Sequence, residues 1–196
     1  MDSPDYRLAG ALWNCDFAPF LFEMPPPTPY PPPMRVLGID PGLNITGYGI
    51  LDADNGEIKL VEAGVIRTND KHELGERLKE IGCEIGKVIA QFSPDALAVE
   101  ELYSHYDHPK TAIIMGHARG VIFLKAAEAG VSIFPYASTR IKKSLTGNGR
   151  ASKEQVQRMI RSTLKLTAVP EPPDVADALA IALCHCRSLE HQEVLS

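Results

Sequence analysis

The run Met34-Arg-Val-Leu-Gly-Ile-Asp-Pro-Gly-Leu-Asn-Ile-Thr-Gly-Tyr-Gly-Ile50 constrains the fold of this chain more than any other segment. Val36 to Ile39 is a short apolar stretch with the length of a buried strand, and it ends on the carboxylate of Asp40. Pro41-Gly42 then turns the chain, and a second apolar stretch returns from Gly47 to Leu51. An acid at the end of a buried strand adds nothing to packing. It caps a turn, holds a cation or meets a phosphate, and acids later in the chain decide which.

Strands are predicted over Arg35–Asp40, Gly47–Asp52 and Ile58–Ile66, with a hairpin-type turn at Asp54-Asn55-Gly56. Leu74, Leu78, Ile81, Ile85, Val88, Ile89 and Phe92 recur at steps of three and four, the spacing of an amphipathic helix. Ser93-Pro94-Asp95 ends it. Ala96–Glu100 is a short buried strand that again closes on an acid. A helix over Lys110–Ala129 stops at Gly130, and Val131–Phe134 is the fifth strand. Thr139–Leu145 is a short helix and Gly147-Asn148-Gly149 a loop. Ser152 with Gln155 forms a capping box that opens another helix. Pro173 suits the first turn of the last helix, which runs to about His191. Three meandering strands followed by β–α alternation give an α/β domain, a mixed sheet with helices on both faces.

Composition bounds the rest. No apolar run reaches the roughly 18 residues of a membrane helix. Cys15, Cys83, Cys184 and Cys186 are too few and scattered for a secreted disulfide framework, so the cysteines read as reduced and the protein as cytoplasmic. Cys184-His185-Cys186 lacks a second ligand pair and reads as an ordinary helix end. Pro25 to Pro33 holds seven prolines in nine residues. Residues 1–33 are therefore expected to be a disordered leader, or the product of an upstream start with Met34 as the natural first residue. The domain is expected over residues 34–191, with a tail at 192–196. The formal charge of −5 argues against nucleic acid, yet Thr139 to Leu166 carries eight basic residues and one acid.

Four acids stand out. Asp40 and Glu100 each end a buried strand, so adjacent parallel strands would bring both to one sheet edge, where α/β sheets keep their sites. Asp174 and Asp177 lie three apart on one face of the last helix. Asp177 sits within Val175-Ala-Asp-Ala-Leu-Ala-Ile181, where an unpaired acid would cost several kcal/mol. Taken singly, each has a plainer reading: Asp174 favours the helix macrodipole, Asp40 serves a turn, and one of Glu100 and Glu101 is surface. Taken together, four carboxylates suit Mg²⁺ or Mn²⁺ and metal-assisted phosphodiester cleavage.

Gly38-Ile-Asp-Pro-Gly-Leu-Asn-Ile-Thr-Gly-Tyr-Gly49, Ala98-Val-Glu-Glu101, Gly116-His-Ala-Arg-Gly120, Lys142-Lys-Ser-Leu-Thr-Gly-Asn-Gly149 and Asp174-Val-Ala-Asp-Ala-Leu-Ala-Ile-Ala182 resemble, in order, the motifs of the RuvC family of bacterial Holliday junction endonucleases. The resemblance covers nearly all of residues 34–190. It implies an RNase H-like fold with a five-stranded mixed sheet, a homodimer, and RuvA and RuvB as branch-migration partners. It implies crossover junction cleavage in recombination, DNA repair and the SOS response, by paired nicks in two strands of like polarity that leave 5′-phosphate and 3′-hydroxyl ends. Carried over by motif, Asp40, Glu100, Asp174 and Asp177 are the catalytic, metal-binding acids for two Mg²⁺ per subunit, with Mn²⁺ as a substitute. Asp40 would bridge the two ions, and water held between them would attack in line. Tyr103 stands where relatives carry an aromatic that stacks on junction bases. Lys142 and Lys143 match a basic pair near the site; with Arg140, Arg150 and Lys153 they are the expected DNA-binding residues. The helix holding Gly116–Gly120 would form much of the dimer contact.

The leader has no family counterpart, and Ser104-His-Tyr-Asp-His-Pro-Lys110 replaces the usual small and basic linker. Two rivals remain. An actin-like ATPase would need a second phosphate loop, and a non-catalytic junction-binding protein would have no use for four intact acids.

Overall fold

The computed structural model describes residues 33–102 and 109–193. Five strands, β1 (Met34–Asp40), β2 (Ile45–Asp54), β3 (Glu57–Arg67), β4 (Ala96–Glu100) and β5 (Ser132–Tyr136), form one sheet in the order β3-β2-β1-β4-β5. β1, β2 and β3 pair antiparallel; β4 and β5 join β1 in parallel. The helices are α1 (Leu74–Phe92), α2 (Pro109–Glu128), α3 (Ser138–Thr146), α4 (Lys153–Thr163) and α5 (Pro173–Glu193).

Strand alternation sorts the two faces. Leu37 and Ile39 of β1, with Leu97 and Val99 of β4, pack against Ile81, Ile85 and Ile89 of α1 and Ile122 of α2. Val36 of β1 and Ala98 of β4 face the other way, onto Leu179, Ile181 and Leu183 of α5 and Ile141 of α3. Asp40 is four residues from Val36 and Glu100 two from Ala98. Both acids therefore emerge on the α5 face, at the carboxyl ends of neighbouring parallel strands. The predicted mixed sheet with helices on both faces is the observed architecture.

Gly38 and Gly49 are register partners, as are Asp40 and Gly47. A Cβ on Gly38 would stand 2.3 Å from the Ala178 carbonyl oxygen. α5, lined with Ala176, Ala178, Ala180 and Ala182, all buried, thus lies on bare backbone. This contact fixes the height of α5 over β1 and β2, and with it the positions of Asp174 and Asp177.

Element boundaries differ from expectation in several places. β5 runs through Pro135 to Tyr136 rather than ending at Phe134. An edge strand tolerates proline because its outer side needs no donor, and β5 pairs only with β4. α5 continues past His191 to Glu193. Cys184-His185-Cys186 therefore lies inside the helix, where His185 is 1% exposed and its Nδ1 meets the Tyr136 hydroxyl at 2.7 Å. The Ser152–Gln155 capping box is present, with Ser152 N–H donating to Gln155 Oε1 at 2.8 Å. Residues 1–32 of the leader, Tyr103 and the tail from residue 194 lie outside the described residues. Among the described residues no helix is long and apolar enough to cross a membrane.

Candidate active site

Four carboxylates surround the end of β1. Asp40 sits half-buried there, and its pKa is pushed up to about 7. Burial is the largest cause; the charges of Asp177, Glu100 and Asp174 add to it in that order, and Lys153 opposes them. Strands and helix therefore gather all four sequence-predicted acids within electrostatic range of one another. Asp177 is not enclosed among its apolar neighbours as its sequence context suggests. Its side chain is 37% exposed and accepts a 2.8 Å hydrogen bond from Lys153 Nζ, the first residue of α4.

That ion pair forms one wall of a cavity of about 230 Å³ lined by Glu100, Ser138, Lys142, Lys153, Asp177 and Ile181. The cavity is lined by two carboxylates, Glu100 and Asp177, and by two lysines, Lys142 and Lys153. Asp174, one turn earlier on α5, opens into a separate cavity beside the β1–β2 turn. Among the described residues no three of Asp, Glu, His or Cys converge closely enough to hold a metal ion as the side chains stand. The acids are grouped but splayed, with Asp177 turned toward Lys153.

The basic candidates divide. Lys142 and Lys153 line the cavity of Glu100 and Asp177; Lys143 and Arg150 are exposed and do not. Arg140 of α3 holds its guanidinium 4.9 Å from the centre of the Tyr136 ring. Glu101 is exposed past the end of β4 and Glu100 faces the cavity, which separates the two adjacent acids.

Sequence reasoning missed Arg119. Its guanidinium donates to the Glu100 carbonyl oxygen and lies 4.6 Å from the Phe123 ring centre. Burial depresses its pKa while Glu101 and Glu100 raise it. The signal was an arginine between Ala118 and Gly120 in the run Gly116–Gly120, read only as a helix contact.

A sheet of this order, with acids at adjoining strand ends and two more on the closing helix, defines an RNase H-like domain. Residues 36–185 match the sequence model described as "Crossover junction endodeoxyribonuclease RuvC", and the chain belongs to that family. It is 54% identical over 149 residues to the protein of that name from Rhodopirellula baltica, covering 76% of this chain and 84% of the relative. The structure of Thermus thermophilus RuvC superposes with a TM-score of 0.76 at 34% identity, covering 81% of this chain and 97% of that one. The same protein in complex with a Holliday junction substrate gives 0.72 at 34% identity, covering 79% and 94%.

Proposed function

We propose that this chain is a Holliday junction resolvase that nicks two strands of like polarity at a four-way junction, leaving 5′-phosphate and 3′-hydroxyl ends. The observation that carries the reading is Asp40 held among three other carboxylates beside a cavity that presents Lys142 and Lys153. Membership in the RuvC family and likeness to a junction-bound relative support it.

The donor set fits a hard divalent cation. All four donors are carboxylates, and burial, with the neighbouring carboxylates adding to it, raises the proton affinity of Asp40. Asp40, Glu100, Asp174 and Asp177 would hold Mg²⁺, two ions per subunit with Mn²⁺ as a substitute. Bound Mg²⁺ supplies Lewis-acid activation of water and neutralises charge at the phosphate. Lys142 and Lys153 bind the phosphate oxygens in that cavity, and Lys153 exchanges its Asp177 contact for the substrate. Arg119 positions Glu100 by tying down its carbonyl. Arg140, Lys143 and Arg150 contact phosphates farther along the arms, and Tyr103 stacks on a junction base.

The working form is a homodimer in the cytoplasm, with RuvA and RuvB as partners and residues 34–191 as the nuclease domain. The exposed Ile113 and Leu124 on α2, opposite its buried Ala118 and Ile122, support the dimer.

The test is Asp40→Asn on a synthetic four-way junction with and without Mg²⁺. Binding should persist, since phosphate contacts lie elsewhere, and cutting should vanish. Wild-type protein that binds the junction but never cuts it would leave only the non-catalytic reading.

A further inference from the structure

Two polar contacts join α4 to α5 at matching heights. Lys153, the first residue of α4, donates from Nζ to Asp177 Oδ2 at 2.8 Å. At the other end of α4, ten residues on, Thr163 Oγ1 accepts from a terminal nitrogen of Arg187 at 3.1 Å. Arg187 stands ten residues past Asp177 on α5. Both contacts join residues 24 apart in sequence. They are two rungs of one ladder, about 15 Å from each other along the helices.

Arg187 does more than close the second rung. Its other terminal nitrogen donates to the Ser144 carbonyl at 2.7 Å and to the Leu145 carbonyl at 3.4 Å. These carbonyls belong to the last turn of α3, where they have no partner within the helix. The Lys143 carbonyl beside them is taken by Gly147 N–H. One half-buried guanidinium thus stands where α3 and α4 both end, a cation at the negative ends of two helix dipoles. Its planar fork of donors suits the task, because one side chain can serve acceptors that diverge.

The two helices it ties are those that carry the cavity's lysines. Lys142 lies two residues before Ser144 on α3, and Lys153 opens α4; both line the cavity of Glu100 and Asp177. Apolar packing also holds these helices, through Ile141 and Leu145 of α3, Val156 and Ile160 of α4 and Leu183 of α5. Such packing is non-directional and does not by itself choose a register along the helix axes. The polar rungs choose it. The first rung is the one given up when Lys153 leaves Asp177 for a phosphate, and the Arg187 rung then remains.

Resting on the nuclease reading, we infer that Arg187 is a positioning residue for cleavage. It holds α3 and α4 in register with α5, so that Lys142 and Lys153 keep their place against the acids after substrate has broken the Lys153–Asp177 pair. It acts through those lysines and lies about 15 Å along α5 from Asp177.

The test is a double-mutant cycle on the full-length chain, cutting a synthetic four-way junction at saturating Mg²⁺, with junction affinity measured separately. Arg187→Met keeps an apolar stem and removes the fork. It should slow the cutting step about 10- to 100-fold, the effect of a misplacement near 1 Å, and leave junction affinity nearly unchanged. In the Lys153→Met background the same change should slow cutting far less, because groups that act through one another do not add. A purely structural role would scale both backgrounds alike. Thr163→Val removes the second rung while Arg187 stays, and should give a smaller loss that also fades beside Lys153→Met. It decides the matter if Arg187→Met does not fold. Unchanged cutting in the single variants, or equal slowing with and without Lys153, would overturn the inference. Wild-type protein that cuts no junction at all would instead defeat the nuclease reading beneath it.

Discussion

Gly47 of β2 and Asp174 of α5 touch backbone to backbone: a Cβ placed on Gly47 would fall 2.0 Å from the Asp174 carbonyl oxygen. Gly47 is the register partner of Asp40, so the missing side chain lets the helix start reach the acid at the strand end. Gly47→Ala should cost about 1–3 kcal/mol in urea unfolding, as overpacking of rigid backbone does. It should also lower cleavage more than the lost stability accounts for, because Asp174 moves. Gly75→Ala is the control. Among the described residues a Cβ at that position in α1 meets nothing within 4 Å, so the same methyl should stabilise by up to about 1 kcal/mol.

Much of this was legible. Asp40 and Glu100 could be placed because strand period and strand end follow from short apolar runs that close on acids. The capping box at Ser152 was legible because both partners are local. The turning of Asp177 toward Lys153 was not, since it depends on how α4 docks beside α5, 24 residues away in sequence. The hydrogen bond from Arg77 to Asn44 spans 33 residues and leaves no periodic trace. Pro135 hid the end of β5 because sequence alone does not say which strand lies at the edge.

The raised pKa of Asp40 gives stability without divalent cation a defined pH dependence. The unfolded carboxyl titrates near 4 and the folded one at about 7. Between these values the unfolded state ionises while the folded state keeps its proton. The contribution of Asp40 therefore falls as pH rises from about 4 through about 7, and is flat above. Urea midpoints in chelator should show this fall for the wild type and lose it in Asp40→Asn, which should be the more stable of the two at pH 8. Parallel profiles for both proteins would contradict the assignment of the shift to Asp40.

Lys153 and Asp177 are 51% and 37% exposed, so their ion pair should add at most about 1 kcal/mol to stability. The same lysine faces the cavity of Glu100 and Lys142. Lys153→Met should accordingly leave the unfolding midpoint nearly unchanged. Its cutting rate at saturating Mg²⁺ should fall about 10²–10³-fold, as loss of one charge-stabilising donor does. A large stability loss with normal cutting would make Lys153 a structural residue.

Among the described residues, α2 carries apolar side chains on a buried face and on an exposed one. Ala118, Ile122 and Ala126 are fully buried, yet Ile113 and Leu124 are 61% and 55% exposed. Gly116 and Gly120 lie in the same helix, and among the described residues a Cβ on either would meet nothing within 4 Å. Glycine inside a helix costs about 1 kcal/mol relative to alanine, and nothing among the described residues requires it there. A second copy packed along this face would require it, because small residues let two helices approach closely. Gly120→Leu should keep the fold of the single chain and its helical signal while shifting sedimentation from dimer to monomer. Paired nicking should then give way to single, uncoordinated cuts. A Gly120→Leu protein that sediments as a dimer and still nicks in pairs would place the subunit contact on another face.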